Sequence, residues 1–166
     1  MRRYFAVLFL IVSSLFCGSA QCVEFTFTKI VDTNTAMPGG PGNFREMFPP
    51  VIDNGEIVFR GVGQTWEGLY LYDGDSLRSI IDLNTAIPDG IGNFTSLSQP
   101  SLSDGVVTFF GQGVGQRGIY RYEENDLSKV ADFNTPVPDG LGTFEGFDFP
   151  VIGGGQIVFR GQWSDG

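Results

Sequence analysis

The chain has 166 residues, a formal net charge of −9 and no histidine. Because proteins neutralise phosphates with clustered Lys and Arg, this acidic balance argues against nucleic-acid binding and against anionic membrane surfaces. The lack of histidine excludes a Ser-His-Asp triad, a Cys-His pair and a histidine-based metal site. With 24 Gly, 9 Pro and 16 Phe, the composition indicates an all-β protein rich in turns.

The first twenty residues have the pattern of a secretory signal peptide. Two arginines follow the initiator methionine, residues 4–16 are almost all apolar, and small residues lead up to Ala20. This apolar run is too short to span a bilayer comfortably, so a retained membrane anchor is the weaker alternative. We therefore assign residues 1–20 to a signal peptide and residues 21–166 to one exported domain without membrane contact. The expected location is extracellular, secreted or on the cell surface, with the periplasm as the alternative.

The chain then repeats itself about every fifty residues. Residues 23–30 alternate apolar and polar side chains, which predicts a half-buried strand. The end of that strand, Lys29-Ile30-Val31-Asp32, returns as Ser79-Ile80-Ile81-Asp82 and as Lys129-Val130-Ala131-Asp132. A fixed period indicates a repeat architecture, with repeats at about 29–78, 79–128 and 129–166, the last one incomplete.

Each repeat predicts four short antiparallel strands joined by tight turns. The first strand ends in Asn54-Gly55 or Asp104-Gly105, dipeptides that strongly favour two-residue hairpin turns. The other predicted strands are the second at 56–61, 106–111 and 156–161, the third at 68–72 and 118–122, and the fourth at 77–82 and 127–132. Four-stranded units in tandem are typical of propeller blades, so we predict an all-β, β-propeller-like array with about two and a half to three repeats. A β-trefoil-like fold is the alternative.

The repeat also resembles a known sequence pattern. Its motif Pro-x-(Ile/Leu)-x-x-x-Gly-x-(Ile/Val)-x-Phe, followed by Gly-(Leu/Ile)-Tyr-x-Tyr, resembles the TolB-like β-propeller repeat. The whole unit, with its loop Asp-x-Asn-Thr-x-x-Pro-x-Gly-x-Gly-x-Phe, is similar to the tandem repeat of secreted bacterial proteins that have no assigned activity. The resemblance covers nearly all of residues 24–161 and implies a fold rather than a function. The kelch repeat shares the period but carries a double glycine after its second strand, where this chain reads Phe-Arg-Gly or Phe-Phe-Gly.

The number of strands leaves the array short of a complete propeller. The sequence holds one fourth strand, two full repeats and two strands of a third, whereas propellers have at least four blades. Three explanations are open: the sequence is a fragment, copies self-associate, or the fold is different.

The loop after each fourth strand is the candidate for chemistry. Carboxylate and amide oxygens on a flexible, glycine-rich turn are the ligands that calcium takes, so one prediction is a calcium site. The candidate ligands are Asp82, Asn84, Asp89, Asp132, Asn134 and Asp139. In the first copy Gly39 replaces the second aspartate, which weakens this prediction. The preferred interpretation is that Asp and Asn bond their own backbone and build the turn, with no cofactor.

Aromatic residues recur with the same period and form the predicted core. One phenylalanine closes each loop and is expected to plug the space between units: Phe44, Phe94 and Phe144. The second and third strands supply further core residues: Phe59, Phe109, Phe159, Tyr70 and Tyr120. Trp66 and Trp163 lie in less regular connections and are candidates for a sugar-stacking platform.

These observations favour an exported, non-enzymatic repeat protein that acts as a binding or surface-scaffold module. Its partner would be an extracellular protein or carbohydrate, with self-association if the chain is complete. The alternative is a carbohydrate-active enzyme, of the glycoside hydrolase or lyase type, that uses paired carboxylates on a propeller scaffold. Glu46, Glu67 and Glu145 do not recur at equivalent positions, and the sequence does not place them opposite one another. A non-functional gene fragment is the third hypothesis.

Overall fold

The fold is built from antiparallel β-strands, which confirms the all-β prediction. The computed structural model describes residues 8–10 and 25–164, and within them it contains sixteen strands and no helix. No helix that could cross a membrane is therefore found in this part of the chain. The strands are β1 (Leu8–Leu10), β2 (Thr26–Thr28), β3 (Glu46–Met47), β4 (Val51–Asp53), β5 (Glu56–Val62), β6 (Glu67–Tyr72), β7 (Leu77–Asp82), β8 (Ser96–Leu97), β9 (Ser101–Ser103), β10 (Val106–Gly113), β11 (Gln116–Glu123), β12 (Asp126–Asp132), β13 (Gly146–Phe147), β14 (Val151–Gly153), β15 (Gln156–Val158) and β16 (Gly161–Gln162).

Strands β3 to β7 form the first sheet. β5 pairs with β6 and β6 with β7, while β3 and β4 both pair with the other edge of β5. β3 and β4 are separated by a short segment that contains Pro49 and Pro50, which have no N–H to donate to a sheet. β3 and β4 thus lie end to end along one edge of β5 and together take the place of a single strand. The sheet is therefore an antiparallel meander with four strand positions.

Strands β8 to β12 form the second sheet, which has the same arrangement. β12 pairs with β11 and β11 with β10, and β8 and β9 share the other edge of β10. β13 pairs with β16 and β14 with β15, and we call these four strands the third unit. The predicted hairpin turns are confirmed, because Asn54 and Gly55 (φ 48° and 86°) and Asp104 and Gly105 (φ 51° and 77°) all have positive φ.

The two sheets pack face to face around one hydrophobic core. The forward face of the first sheet, which points toward the second, consists of Val58, Leu69, Leu71 and Ile81. It packs against the rear face of the second sheet, which carries Leu102, Val107, Phe109, Tyr120 and Tyr122 beside Ile87, Phe94 and Leu97. Burying each aromatic side chain contributes about 2–3 kcal/mol, so this interface is a main source of stability.

A cluster of three aromatic rings recurs in both sheets. The Phe94 ring meets Tyr120 edge-on at 4.9 Å and lies 5.7 Å from Phe109. In the first sheet, the Phe44 ring meets the Tyr70 ring edge-on at 4.8 Å. It also lies beside the ring of Phe59, which is equivalent to Phe109. The predicted loop phenylalanines and core aromatics are therefore buried, apart from Phe159, which is half-buried.

The N-terminal strand differs from its prediction. Phe25 and Phe27 are 52% and 58% exposed, so the expected half-buried strand over 23–30 is wrong in that respect. β2 pairs with β1, in the register Phe9 opposite Phe27, rather than with the first sheet. The rest of the predicted signal peptide (1–20) lies outside the described residues. Cleavage after Ala20 would remove β1 and leave β2 without this partner.

Gly111 gives a test of how tightly the core aromatics pack. A Cβ atom at Gly111 would lie 2.5 Å from Phe94 Cε1 and 3.1 Å from Tyr120 Cε2. We expect Gly111→Ala to lower the free energy of unfolding by about 1–3 kcal/mol, because the rings must move to admit a methyl group. Urea denaturation measures this change. Gly153→Ala is the matched control, since its Cβ would meet no atom within 4 Å, and an equal loss in both variants would contradict the explanation.

Candidate functional site

Each loop begins with an aspartate that organises its own turn. Asp32 Oδ1 accepts hydrogen bonds from the Asn34 N–H and the Thr35 hydroxyl, both at 3.0 Å. The Asp32 N–H donates in turn to Thr35 Oγ1 at 3.0 Å. The same three bonds recur around Asp82 and Asp132. The predicted bonds between the aspartate side chain and the nearby backbone are therefore confirmed. The second side chain of the turn is the threonine, and the asparagine contributes its backbone N–H.

The second aspartate of the loop occupies a left-handed backbone position. Asp89 and Asp139 have φ values of 53° and 55°, and Gly39 at the equivalent place has 74°. Gly and Asp are among the few residues that accept this conformation. The backbone thus explains why Gly39 can stand where the second loop has Asp89, because all three loops need a positive φ at this position.

A lysine lies between the two predicted ligand groups. Lys129 Nζ is 3.1 Å from Asp132 Oδ2 and 3.6 Å from Asp89 Oδ2. These carboxylates raise the pKa of the Lys129 ammonium, chiefly through its hydrogen bond with Asp132. Burial alone would raise the pKa of Asp132, but Lys129, Thr135 and the Asn134 N–H outweigh it and hold that pKa below its usual value. The positive charge at this junction is therefore supplied by the chain itself.

The structure brings two of the six predicted ligands to the same lysine. Asp89 and Asp132 meet across Lys129, whereas Asn84 and Asn134 contribute backbone N–H groups to the turns. Across residues 8–10 and 25–164, no three His, Cys, Asp or Glu side chains are grouped to hold a metal ion.

The calcium hypothesis has a direct test. We expect the same melting temperature in millimolar calcium and in excess chelator, because Oδ1 of the first aspartate in each loop already accepts two hydrogen bonds within its turn. Thermal unfolding followed by circular dichroism measures it. A higher melting temperature in calcium, lost in Asp89→Ala, would instead support a calcium site.

The turn aspartates predict how stability depends on pH. The hydrogen bond from Lys29, with those from the Asn34 N–H and Thr35 hydroxyl, lowers the pKa of Asp32 to about 2. The pKa of Asp132 is also lowered. Groups with a lowered folded-state pKa stabilise the fold above their unfolded pKa of about 4, and this contribution is lost as the pH falls toward 2. We expect the melting temperature to fall through this range, and less steeply in Asp132→Asn than in the exposed control Asp126→Asn. Equal slopes would contradict this account.

A polar groove beside the first loop was not predicted from the sequence. It has a volume of about 520 Å³ and is lined by Thr33, Pro41, Gly42, Asn43, Phe44, Arg45, Gln64 and Thr65. We call it the Arg45 groove. Three of its polar lining residues, Thr33, Gln64 and Thr65, correspond fifty residues later to Leu83, Val114 and Gly115. Comparing the repeats position by position could have revealed this difference.

The two tryptophans have different surroundings. The Trp66 ring packs on the first loop, where a Cβ atom added to Gly40 would lie 2.4 Å from its Cδ1. Trp66 also packs against the buried cluster that contains Phe44 and Tyr70, so its ring is part of the packing of the first sheet. Trp163 is 48% exposed, and its Nε1 lies 3.6 Å from the place that a Cβ atom at Gly140 of the third loop would take.

The carboxylates considered for catalysis are not paired with one another. Glu67 Oε2 lies 2.8 Å from Arg60 Nη2, and Glu67 Oε1 accepts a hydrogen bond from the Leu97 N–H at 2.5 Å. Glu145 accepts a hydrogen bond from Ser164, and Glu46 is exposed in β3. Glu67 therefore joins the first sheet to β8 of the second.

Comparison with known proteins gives a family. The family of unknown function DUF7453 matches residues 20–166, which include both sheets, the third unit and all three loops. The chain belongs to DUF7453. The search of curated proteins and the search of solved structures gave no match. Membership of DUF7453 assigns no activity, so any function must be argued from the groove, the loops and the sheet faces.

Proposed function

We propose that the chain is an exported, non-enzymatic binding module and that its ligand is a saccharide held in the Arg45 groove. The observation that carries this proposal is the groove itself, which combines hydroxyl, amide and guanidinium groups in one concave site. Binding sites are typically concave, with a few polar groups that fix the orientation of the ligand.

The chemistry of the lining favours a hydroxylated ligand. Thr33 and Thr65 carry hydroxyls that donate and accept, while Asn43 and Gln64 carry amides that do both. These groups are exposed and complement the alternating donors and acceptors of sugar hydroxyls. Arg45 adds a planar fork that can hold a carboxylate in a bidentate manner, so acidic sugars should bind more tightly than neutral ones.

The arrangement of the sheets supports propeller-type blades as the scaffold. Each complete sheet is an antiparallel meander with four strand positions. The strands that precede the hairpin turn in each unit, β4, β9 and β14, lie side by side. This is the relation expected of inner strands around a common axis. The residues that line the groove differ from those at the equivalent positions of the second repeat. This difference fits such a scaffold, because repeat proteins commonly carry function where the residues depart from the repeat.

The groove gives no support to the enzyme alternative. Its lining residues include Arg45 but no carboxylate, whereas glycoside hydrolysis commonly uses two. The Glu67 carboxylate is committed to Arg60 and to the Leu97 N–H.

Calorimetric titration with two saccharides tests the proposal. The full chain is titrated with an oligogalacturonate and with an uncharged cello-oligosaccharide. We expect binding to the first, weakened about tenfold in Arg45→Gln because a charge-assisted hydrogen-bond pair is lost. Arg117→Gln, at an exposed arginine in β11, is the matched control and should bind like the parent. No binding of either sugar, or equal weakening in both variants, would overturn the proposal.

A further inference from the structure

The first aspartate of each loop uses one carboxylate oxygen in its turn. Oδ1 accepts both side-chain bonds of the turn, which leaves Oδ2 for another partner. In two of the three loops that partner is a lysine three residues earlier. Lys29 Nζ lies 3.0 Å from Asp32 Oδ2, and Lys129 Nζ lies 3.1 Å from Asp132 Oδ2. The fold thus has a recurrent place for a primary ammonium beside this oxygen.

The second loop begins with Asp82, and a serine stands at its lysine position. Ser79 lies opposite Tyr70 in the β6–β7 pair. Lys129 lies opposite the equivalent Tyr120 in the β11–β12 pair, so the serine and the lysine take the same place. In the described part of the chain, no lysine or arginine forms an ion pair with Asp82. Of the three turn aspartates, Asp82 is thus the one to which these residues supply no ammonium.

The loop over this place also carries a smaller residue. Asp89 of the second loop lies beside Lys129, and its equivalent in the first loop is Gly39. A Cβ atom at Gly39 would lie 3.7 Å from Asp82 Oδ2 and 3.9 Å from Ser79 Oγ. Gly39 is exposed, so a solute can approach these two oxygens from the solvent. We call the junction of Gly39, Ser79 and Asp82 the Asp82 site.

A fully buried hydroxyl lies near the Asp82 site. Asp82 pairs with Gly68 across β6 and β7, and a Cβ atom at Gly68 would lie 3.2 Å from the Tyr70 hydroxyl oxygen. Burial, and after it the Asp82 carboxylate, raise the pKa of this hydroxyl. Among the described residues the hydroxyl has no hydrogen-bond partner. The charge of Asp82 is therefore felt in a poorly screened interior, where its attraction for a cation is stronger than in water.

We propose that the Asp82 site binds the primary ammonium of a small amine, in the role that Lys129 fills at the next junction. Asp82 Oδ2 accepts one N–H in a charge-assisted hydrogen bond, and Ser79 Oγ accepts a second. A primary ammonium has three donors and no acceptor, so it suits a pair of oxygen acceptors. The site shares no residue with the Arg45 groove, so this inference is independent of the saccharide proposal.

Titration of the isotope-labelled full chain with methylammonium chloride, followed by amide NMR, tests the proposal. The reporter is the Asn84 N–H, which donates to Asp82 Oδ1 at 2.8 Å. We expect its resonance to shift and saturate at millimolar concentrations. The equivalent amides of Asn34 and Asn134 are internal controls and should not respond, because lysines already contact their aspartates. Tetramethylammonium and potassium chlorides at equal ionic strength should leave the Asn84 resonance in place, since neither cation has an N–H to donate.

Ser79→Lys should abolish the response, because its own ammonium then takes the place beside Asp82 Oδ2. Asp126→Lys, at the exposed first residue of β12, is the matched control and should respond like the parent. Circular dichroism checks that the variants are folded. Asp82→Asn replaces Ser79→Lys if the latter is not, since asparagine keeps an oxygen for the turn and lacks the charge. The proposal is overturned if the Asn84 resonance does not saturate, responds equally to tetramethylammonium or potassium, or still responds in the folded variant.

Discussion

Replacing Phe94 by alanine should destabilise the protein by about 3–5 kcal/mol, the largest effect expected from one substitution. The Phe94 side chain is 1% exposed and lies in the core between the two sheets. It contacts Tyr120 edge-on and Phe109 beside it, so alanine would leave a cavity bordered by two rings. The loss combines the missing transfer free energy of the ring with the cost of that cavity.

Urea denaturation of Phe94→Ala measures this loss, and Phe25→Ala provides the control. Phe25 is 52% exposed, so its truncation removes a ring of the same size with little change in burial. Phe94→Leu should lose less, because it fills part of the space. A Phe94→Ala variant no less stable than Phe25→Ala would show that the loop phenylalanine does not hold the sheets together.

Replacing Glu67 by leucine should cost about 3 kcal/mol, the second large effect. The side chains of Glu67 and Arg60 are only 13% and 19% exposed, and the Arg60 guanidinium also stacks on Phe48 at 4.3 Å. Removing the carboxylate leaves a largely buried cation and the Leu97 N–H without their acceptor. The penalty therefore comes from stranded polar groups rather than from lost attraction alone.

A double-mutant cycle separates the two parts of this effect. Arg60→Leu with Glu67→Leu should recover part of the stability, because the stranded cation is gone, while the Leu97 N–H remains unpaired. Glu123→Leu is the control, since its pair with Arg121 is more than a third exposed and should be worth less than about 1 kcal/mol. If Glu67→Leu costs no more than Glu123→Leu, the bond between the sheets is not structural.

The local features of the fold could be predicted from the sequence because they depend on neighbouring residues. The Asn54-Gly55 turn follows from a backbone that requires positive φ, and the structure has that geometry. The bonds of Asp32 to Asn34 and Thr35 are likewise made within four residues. The burial of Phe94 followed from its recurrence with the period of the chain.

The features that were missed depend on contacts between distant residues. Glu67 bonds the Leu97 N–H thirty residues away, and its isolated position in the sequence suggested no partner. The Arg45 groove joins residues from the first loop with Gln64 and Thr65, which only the folded sheet brings together. Lys129 was not recognised as the cation beside Asp89, because that contact crosses from one loop to the next repeat.

The order of the strands has a consequence for how the chain reaches its native state. In both complete sheets each strand pairs with one that is close in sequence, and β4, β5, β6 and β7 pair in order. Pairing strands that are close in sequence costs little chain entropy, so each sheet can form early and by itself. Docking of the two sheets then adds the core that they share. The chain can thus fold progressively from its N-terminal sheet onward, one sheet after the other.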